Sequence, residues 1–79
     1  MSILIDVSEE YDRASSKFPP FRSAHEGLAI IWEEFDELKA EIFLRHSKRD
    51  MTKMRKEAIQ VAAMAVRFIH DICDGEVTL

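Results

Sequence analysis

Two long amphipathic stretches joined by a short basic connection constrain this chain more than any other feature. Leu28, Ile31, Trp32, Phe35, Leu38 and Ile42 recur at helical spacing, and so do Met51, Met54, Ala58, Val61, Ala62, Ala65, Ile69 and Ile72. Intervals of three and four residues gather each set on one side of an α-helix, which predicts that both stripes face a core. The connection from Arg45 to Asp50 is short, so the two helices are expected to be antiparallel neighbours. Only two Gly and two Pro occur in 79 residues, too few for the many tight turns of a sandwich or barrel. The expected fold class is all-α.

The flanking residues fit the same plan. Ile3, Val7, Tyr11 and Ala14, widened by Leu4, predict a first helix from about Ile3 to Ser16, although Ile3 to Ile5 is also compatible with the start of a strand. Pro19 and Pro20 remove backbone donors and push Phe18 out of helical space, so Ser15 to Arg22 reads as an extended linker pinned by Phe18 and Phe21. Ser23 and Glu26 form a capping-box pattern that opens the second helix, which ends near Leu44. Asp50 or Thr52 caps the third, which runs to about Cys73 and stops at Gly75. The alanines at 58, 62 and 65 leave room for another helix to approach closely.

A chain of this length holds one domain, spanning 1–79, and hides only about 60% of the surface its unfolded form exposes. Three helices with wide apolar stripes therefore predict assembly by oligomerisation into a multi-helix bundle, as a homodimer or homotetramer. The longest apolar runs, Leu28 to Trp32 and Val61 to Val66, are far shorter than the roughly 18 to 20 residues of a membrane span. The acidic start, with Asp6, Glu9 and Glu10, argues against a signal peptide. The single Cys73 cannot form an internal disulfide, which favours a reducing, cytoplasmic setting. A net charge of −4 argues against binding of a nucleic-acid polymer.

Charge is unevenly spread. Six acids and only Lys39 lie between Glu26 and Glu41, whereas six bases and only Asp50 lie between Arg45 and Lys56. Two readings stay open: an acidic helix docked on a basic one, or neighbouring sites for a cation and a polyanion. Glu34, Glu37 and Glu41 form a row at i, i+3, i+7 along one border of the apolar stripe, while Glu33 and Asp36 read as solvated. Glu57 borders the stripe of the third helix, and the antiparallel hairpin can bring it across from Glu34 and Glu37. Converging carboxylates repel unless compensated, and Mg²⁺, which takes oxygen ligands and keeps several waters, compensates them.

The segment Glu33-Glu34-Phe35-Asp36-Glu37, followed by Glu57-Ala58-Ile59-Gln60, resembles the EExxE…ExxD signature of the MazG-like all-α nucleoside triphosphate pyrophosphohydrolases. The stretches SAHEGLAIIWEEFDE and MRKEAIQVAAMAVRF resemble the two central helices of small members, and YDRASSKFPPF resembles the end of their first helix and the loop after it. The resemblance covers most of the chain. It implies cleavage of an NTP or dNTP to the monophosphate and pyrophosphate, with Mg²⁺ (or Mn²⁺) held by Glu34, Glu37 and Glu57 as the catalytic carboxylates. Gln60 stands where the signature has Asp, keeping an oxygen ligand but losing a charge. Larger relatives continue beyond the point corresponding to Leu79, so the phosphate-binding bases are expected from Lys53, Lys56, Arg13, Lys17 or another subunit. The alternative is a non-catalytic MazG-like nucleotide-binding or helical interaction module with a degenerate metal site; a pure oligomerisation domain is a third.

Trp32 reads as core rather than as a base-stacking platform. His25 reads as a surface residue near a cap, and Cys73 as a buried or idle thiol. Arg67 and His70 point away from the main stripe and are expected at a subunit contact. The absence of a Gly-rich phosphate loop, CxxC, HExxH or GxSxG removes P-loop, zinc and serine-hydrolase readings.

Overall fold

Each helix begins at a side chain that satisfies its free N–H groups. In the computed structural model, which describes residues 2–75, Ser2 Oγ accepts from Ile5 N at 3.3 Å and Ser23 Oγ from Glu26 N at 3.0 Å. Asp50 Oδ1 accepts from Thr52 N and Lys53 N. These caps open α1 (Ile3–Lys17), α2 (Ala24–Ile42) and α3 (Met51–Phe68). A 3-10 turn (His46–Lys48) lies between α2 and α3, and a π turn (Ile69–Cys73) continues α3. Ile3 to Ile5 is helical. The capping box is shifted by one residue: the Glu26 carboxylate accepts from Arg22 N at 2.7 Å rather than from Ser23. Within the basic connection, Arg49 donates twice to the Ile42 carbonyl, at 3.1 and 2.8 Å, and so closes the C-terminus of α2.

α3 is the central element. Both α1 and α2 pack on it and barely meet each other. An ion pair joins Arg55, early in α3, to Asp6, early in α1, and residues 67 and 71 bind the linker that follows α1. α1 and α3 therefore run parallel, with α2 returning antiparallel between their ends.

The linker becomes a tight strap. Phe21 N donates to Asp71 Oδ2 at 3.0 Å, and Arg67 Nη2 donates to the Pro19 carbonyl at 2.8 Å. The Arg67 guanidinium lies 4.4 Å from the centre of the Phe21 ring. Phe21 is buried, as expected, but Phe18 is half-exposed. Arg67 is only 3% exposed, which corrects its expected place at a subunit contact: it is the peg that holds the strap on α3. His70 is exposed. Cys73, expected to be a buried or idle thiol, is exposed as well.

Ala14, Phe21, Ala63 and Met64 form the buried core, with Val7, Tyr11, Ile30, Ile31, Phe68 and Ile72 packed against it. Gly27 permits the closest approach, because a Cβ there would lie 2.5 Å from a Phe68 ring carbon and 3.1 Å from a Phe21 ring carbon.

The expected core stripe of α2 is only partly inward. Ile31 and Leu38 are half-buried, whereas Leu28, Trp32, Phe35 and Ile42 are exposed, Trp32 to 59%. The helix is rotated so that Gly27, Ile30, Glu34, Leu38 and Glu41 lie inward at spacings of three and four. On α3, Met51, Ala58 and Ile69 are likewise exposed, while Glu57, Met64 and Arg67 are buried. The physical reason is the flatness of the arrangement. The molecule measures 49 × 28 × 18 Å, and a single layer of helices has two open faces and cannot enclose a core. Its radius of gyration is 13.8 Å, against about 11.6 Å for a globule of this length. Its accessible surface is 5991 Å², against about 4,900 Å² for a folded monomer of this mass.

Candidate metal centre

The rotation of α2 that leaves its apolar residues outside turns its acid row towards α3. Glu34 and Glu37 on α2 meet Glu57 on α3, with one carboxylate oxygen from each lying within 4.8 Å of the others. Glu57 is 7% exposed and Glu34 half-buried. One oxygen of each, Oε2, is sealed from solvent without a hydrogen-bond partner. An ionised oxygen in that position loses hydration and gains nothing in return, an unfavourable arrangement for a fold to keep. The electrostatics register it. Burial, followed by Glu37 and Glu57, raises the Glu34 carboxyl above the usual carboxylate range, and burial, followed by Glu37, does the same to Glu57.

A divalent cation bound there would remove both penalties at once. With metal–oxygen bonds of about 2.1 Å, Mg²⁺ spans oxygens up to about 4.2 Å apart, so modest side-chain rotation closes this cluster on it. Glu41, the third member of the row, is also buried, but its oxygen lies 3.3 Å from Lys53 Nζ. That pair separates Glu41 from the uncompensated group. Glu33 and Asp36 are exposed, as expected.

Because α1 and α2 pack on α3 and barely meet each other, a cleft of about 630 Å³ opens between them. α3 floors it with Gln60, Met64 and Arg67, and the strap closes one end with Phe18 and Phe21. Ala14 and Ile30 give apolar side walls, and Glu34 borders the cleft from the side of the carboxylate cluster. Arg13 stands in its wall, engaged with Glu10 through two hydrogen bonds of 3.0 and 2.6 Å.

The other expected site residues are scattered. Gln60 lies one turn after Glu57 in the cleft floor. Lys53 is committed to Glu41. Lys56 is exposed, in the field of both Glu10 and Glu57. Lys17 lies 5.8 Å over the Phe18 ring and does not wall the cleft. His25 sits beside Leu28 and Trp32 in a shallow groove on the outer face of α2. Trp32, expected in the core, is exposed in that groove. Sequence reasoning missed Gly27 and the Arg67 and Asp71 grip on the strap. The spacing of Arg67 and Asp71, one turn apart at the far end of the helix that carries Glu57, was the available signal. Compared with family models, curated proteins and solved structures, the chain matches none.

Proposed function

We propose that this protein is a Mg²⁺-dependent nucleoside triphosphate pyrophosphohydrolase, cleaving an NTP or dNTP to the monophosphate and pyrophosphate, and that it works as a homo-oligomer. The observation that carries the reading is the pair of buried, unpartnered oxygens of Glu34 and Glu57 within a three-carboxylate cluster. The resemblance of the two acidic segments to the MazG-like signature supplies the reaction class. Glu34, Glu37 and Glu57 hold the cation from facing helices, and their rigid attachment to α2 and α3 fixes it beside the cleft. Bound Mg²⁺ supplies charge neutralisation on the phosphates and acidifies an attacking water. Arg13, in the cleft wall, and Lys56, exposed near Glu57, would neutralise phosphate charge, Arg13 by exchanging its Glu10 partner for a phosphate.

A second copy completes the fold. The surface in excess of a compact monomer, about 1,000 Å², is comparable to the roughly 800 Å² each partner contributes to a standard interface. Leu28, Trp32 and Phe35 are the exposed residues it would cover. Among the described residues no helix is long and apolar enough to cross a membrane, and the free, exposed Cys73 suits a reducing compartment such as the cytoplasm.

A panel of NTPs and dNTPs assayed for pyrophosphate with and without Mg²⁺ tests the activity. Metal-dependent pyrophosphate release that is lost in Glu57→Gln is expected. Gln60, neutral at the signature's last acidic position, favours one competing reading, a non-catalytic nucleotide-binding module with a degenerate metal site. Nucleotide and Mg²⁺ binding without any pyrophosphate would establish that reading instead.

A further inference from the structure

Gln60 occupies the position where the signature carries an acid, yet its neighbours are those of the cleft. α3 presents Gln60, Met64 and Arg67 to the cleft at i, i+4, i+7. Of the three clustered carboxylates only Glu34 borders that space; Glu37 and Glu57 do not. The cleft volume, about 630 Å³, lies inside the range of about 300–1,000 Å³ typical of small-molecule sites. Ala14, Phe18, Phe21, Ile30 and Met64 give it apolar walls, within a border of charged side chains of both signs. Those walls suit the faces of a planar heterocycle. Arg67 contributes little to recognition, because its guanidinium is taken up by Pro19, Phe21 and Met64. Gln60 is the neutral polar side chain of the cleft. Its amide sets a donor beside an acceptor, the pattern that matches a nucleobase edge. As a ligand for a hard dication it is weaker than a carboxylate.

We infer that the cleft takes the nucleoside half of the substrate and that Gln60 hydrogen-bonds the edge of the base instead of ligating the metal. The phosphate chain then leaves the cleft past Glu34 towards the carboxylate cluster. This rests on the nucleotide reading proposed above, and it makes Gln60 a specificity-determining residue. Substitution at this position therefore changes which base is accepted, while metal affinity stays with the three glutamates.

The experiment separates the two sites by using one probe for each. Binding of the four common nucleoside 5′-monophosphates is titrated in chelator, and Mn²⁺ binding is titrated without nucleotide, for wild type, Gln60→Leu and Phe18→Ala. Gln60→Leu should weaken the preferred monophosphate at least tenfold and flatten the ranking of bases, with Mn²⁺ affinity unchanged within twofold. Phe18→Ala, at a half-exposed position in the cleft wall, should weaken all four monophosphates and leave Mn²⁺ untouched, with an unchanged helical circular-dichroism spectrum showing that the variant is folded. A tenfold loss of Mn²⁺ affinity in Gln60→Leu, with nucleotide binding unchanged, would overturn the inference and return Gln60 to the metal. Absence of monophosphate binding to wild type at millimolar concentration would overturn it too. Failure of wild type to bind Mn²⁺ would instead remove the metal centre, leaving the nucleotide titrations to judge the cleft on their own.

Discussion

The two sides of α2 invert the usual rule of burial. Its outer side carries Leu28, Trp32 and Phe35, each more than half exposed, while its inner side presses Glu34 and Glu41 against α3. Both sides are available to the same helix, and a rotation of about 100°, one residue's worth, would exchange much of one for the other. An isolated three-helix unit gains more by burying the apolar side. The observed orientation is favourable only if something else compensates the acids and something else covers the apolar residues. A cation and a second copy of the chain, both proposed above, would meet those two needs, so the comparison links the proposed assembly to the proposed site.

The outer side is the place to disturb the comparison most. Phe35→Glu sets a charge amid Leu28, Trp32 and Ile42, and central interface positions of this type are worth about 2 to 4 kcal/mol each. Sedimentation should show dissociation. Trp32, the single tryptophan, reports the same event by a red shift of its emission as the indole meets water. A wild-type protein that sediments as a monomer, with Trp32 emission already that of a hydrated indole, would break the link between the two sides.

The inner side is where the proposed cation would act. At a Mg²⁺ concentration 100 times the dissociation constant, wild type should gain about 2.7 kcal/mol of stability by mass action. Glu57→Gln should lose that gain and yet melt no lower than wild type in chelator, because removing one charge relieves Glu34 and Glu37. Equal protection of both proteins by Mg²⁺ would place the ion elsewhere.

Acidity offers a metal-free view of the same cluster. A carboxyl whose folded pKa lies above its unfolded value binds more protons when folded. Its contribution to stability is therefore complete below the ordinary glutamate range and declines as pH rises through the raised folded value. Glu34 and Glu57 are of this kind. Asp71, Glu10 and Glu26 are shifted downwards and act in the opposite sense, so total stability is a poor gauge. The difference between wild type and Glu57→Gln is the sound one. In chelator, wild type should lose ground against the variant as pH climbs from about 4 through the raised value, and Mg²⁺ should abolish that loss.

Helices, reversal and caps were legible because each rests on local chemistry: Ser23 and Asp50 cap where an oxygen precedes a periodic run, and Gly and Pro are scarce. The convergence of Glu34, Glu37 and Glu57 was legible for a related reason, since spacing on two antiparallel helices fixes it. Rotation of α2 was not. Periodicity finds the centre of an apolar stripe, but how that stripe is divided between the inside of the fold and its surface depends on contacts between helices, which spacing within one helix does not carry. Arg67 was misplaced likewise, because its burial depends on a carbonyl and a ring from a strap 48 and 46 positions away in sequence, the pairs being Arg67 with Pro19 and with Phe21.

The smallest effect concerns Gly27, where the inner side of α2 comes closest to its neighbours. Replacing Gly by Ala within a helix normally stabilises it by about 1 kcal/mol through backbone entropy. Here the added methyl would stand 2.5 Å from a carbon of the Phe68 ring and 3.1 Å from one of Phe21. Phe68 is packed against the core and Phe21 is held by the strap, so neither ring moves without disturbing α3 or the Arg67 grip. Overpacking of this kind costs about 1 to 3 kcal/mol. The two effects oppose, and the steric one should win by about 1 kcal/mol. The same strap walls the cleft, so Gly27→Ala should also weaken binding of a nucleoside monophosphate while Mg²⁺ protection persists. A variant that melts higher than wild type would mean that Phe68 yields freely, and that the contact between α2 and α3 at this point is looser than the geometry requires.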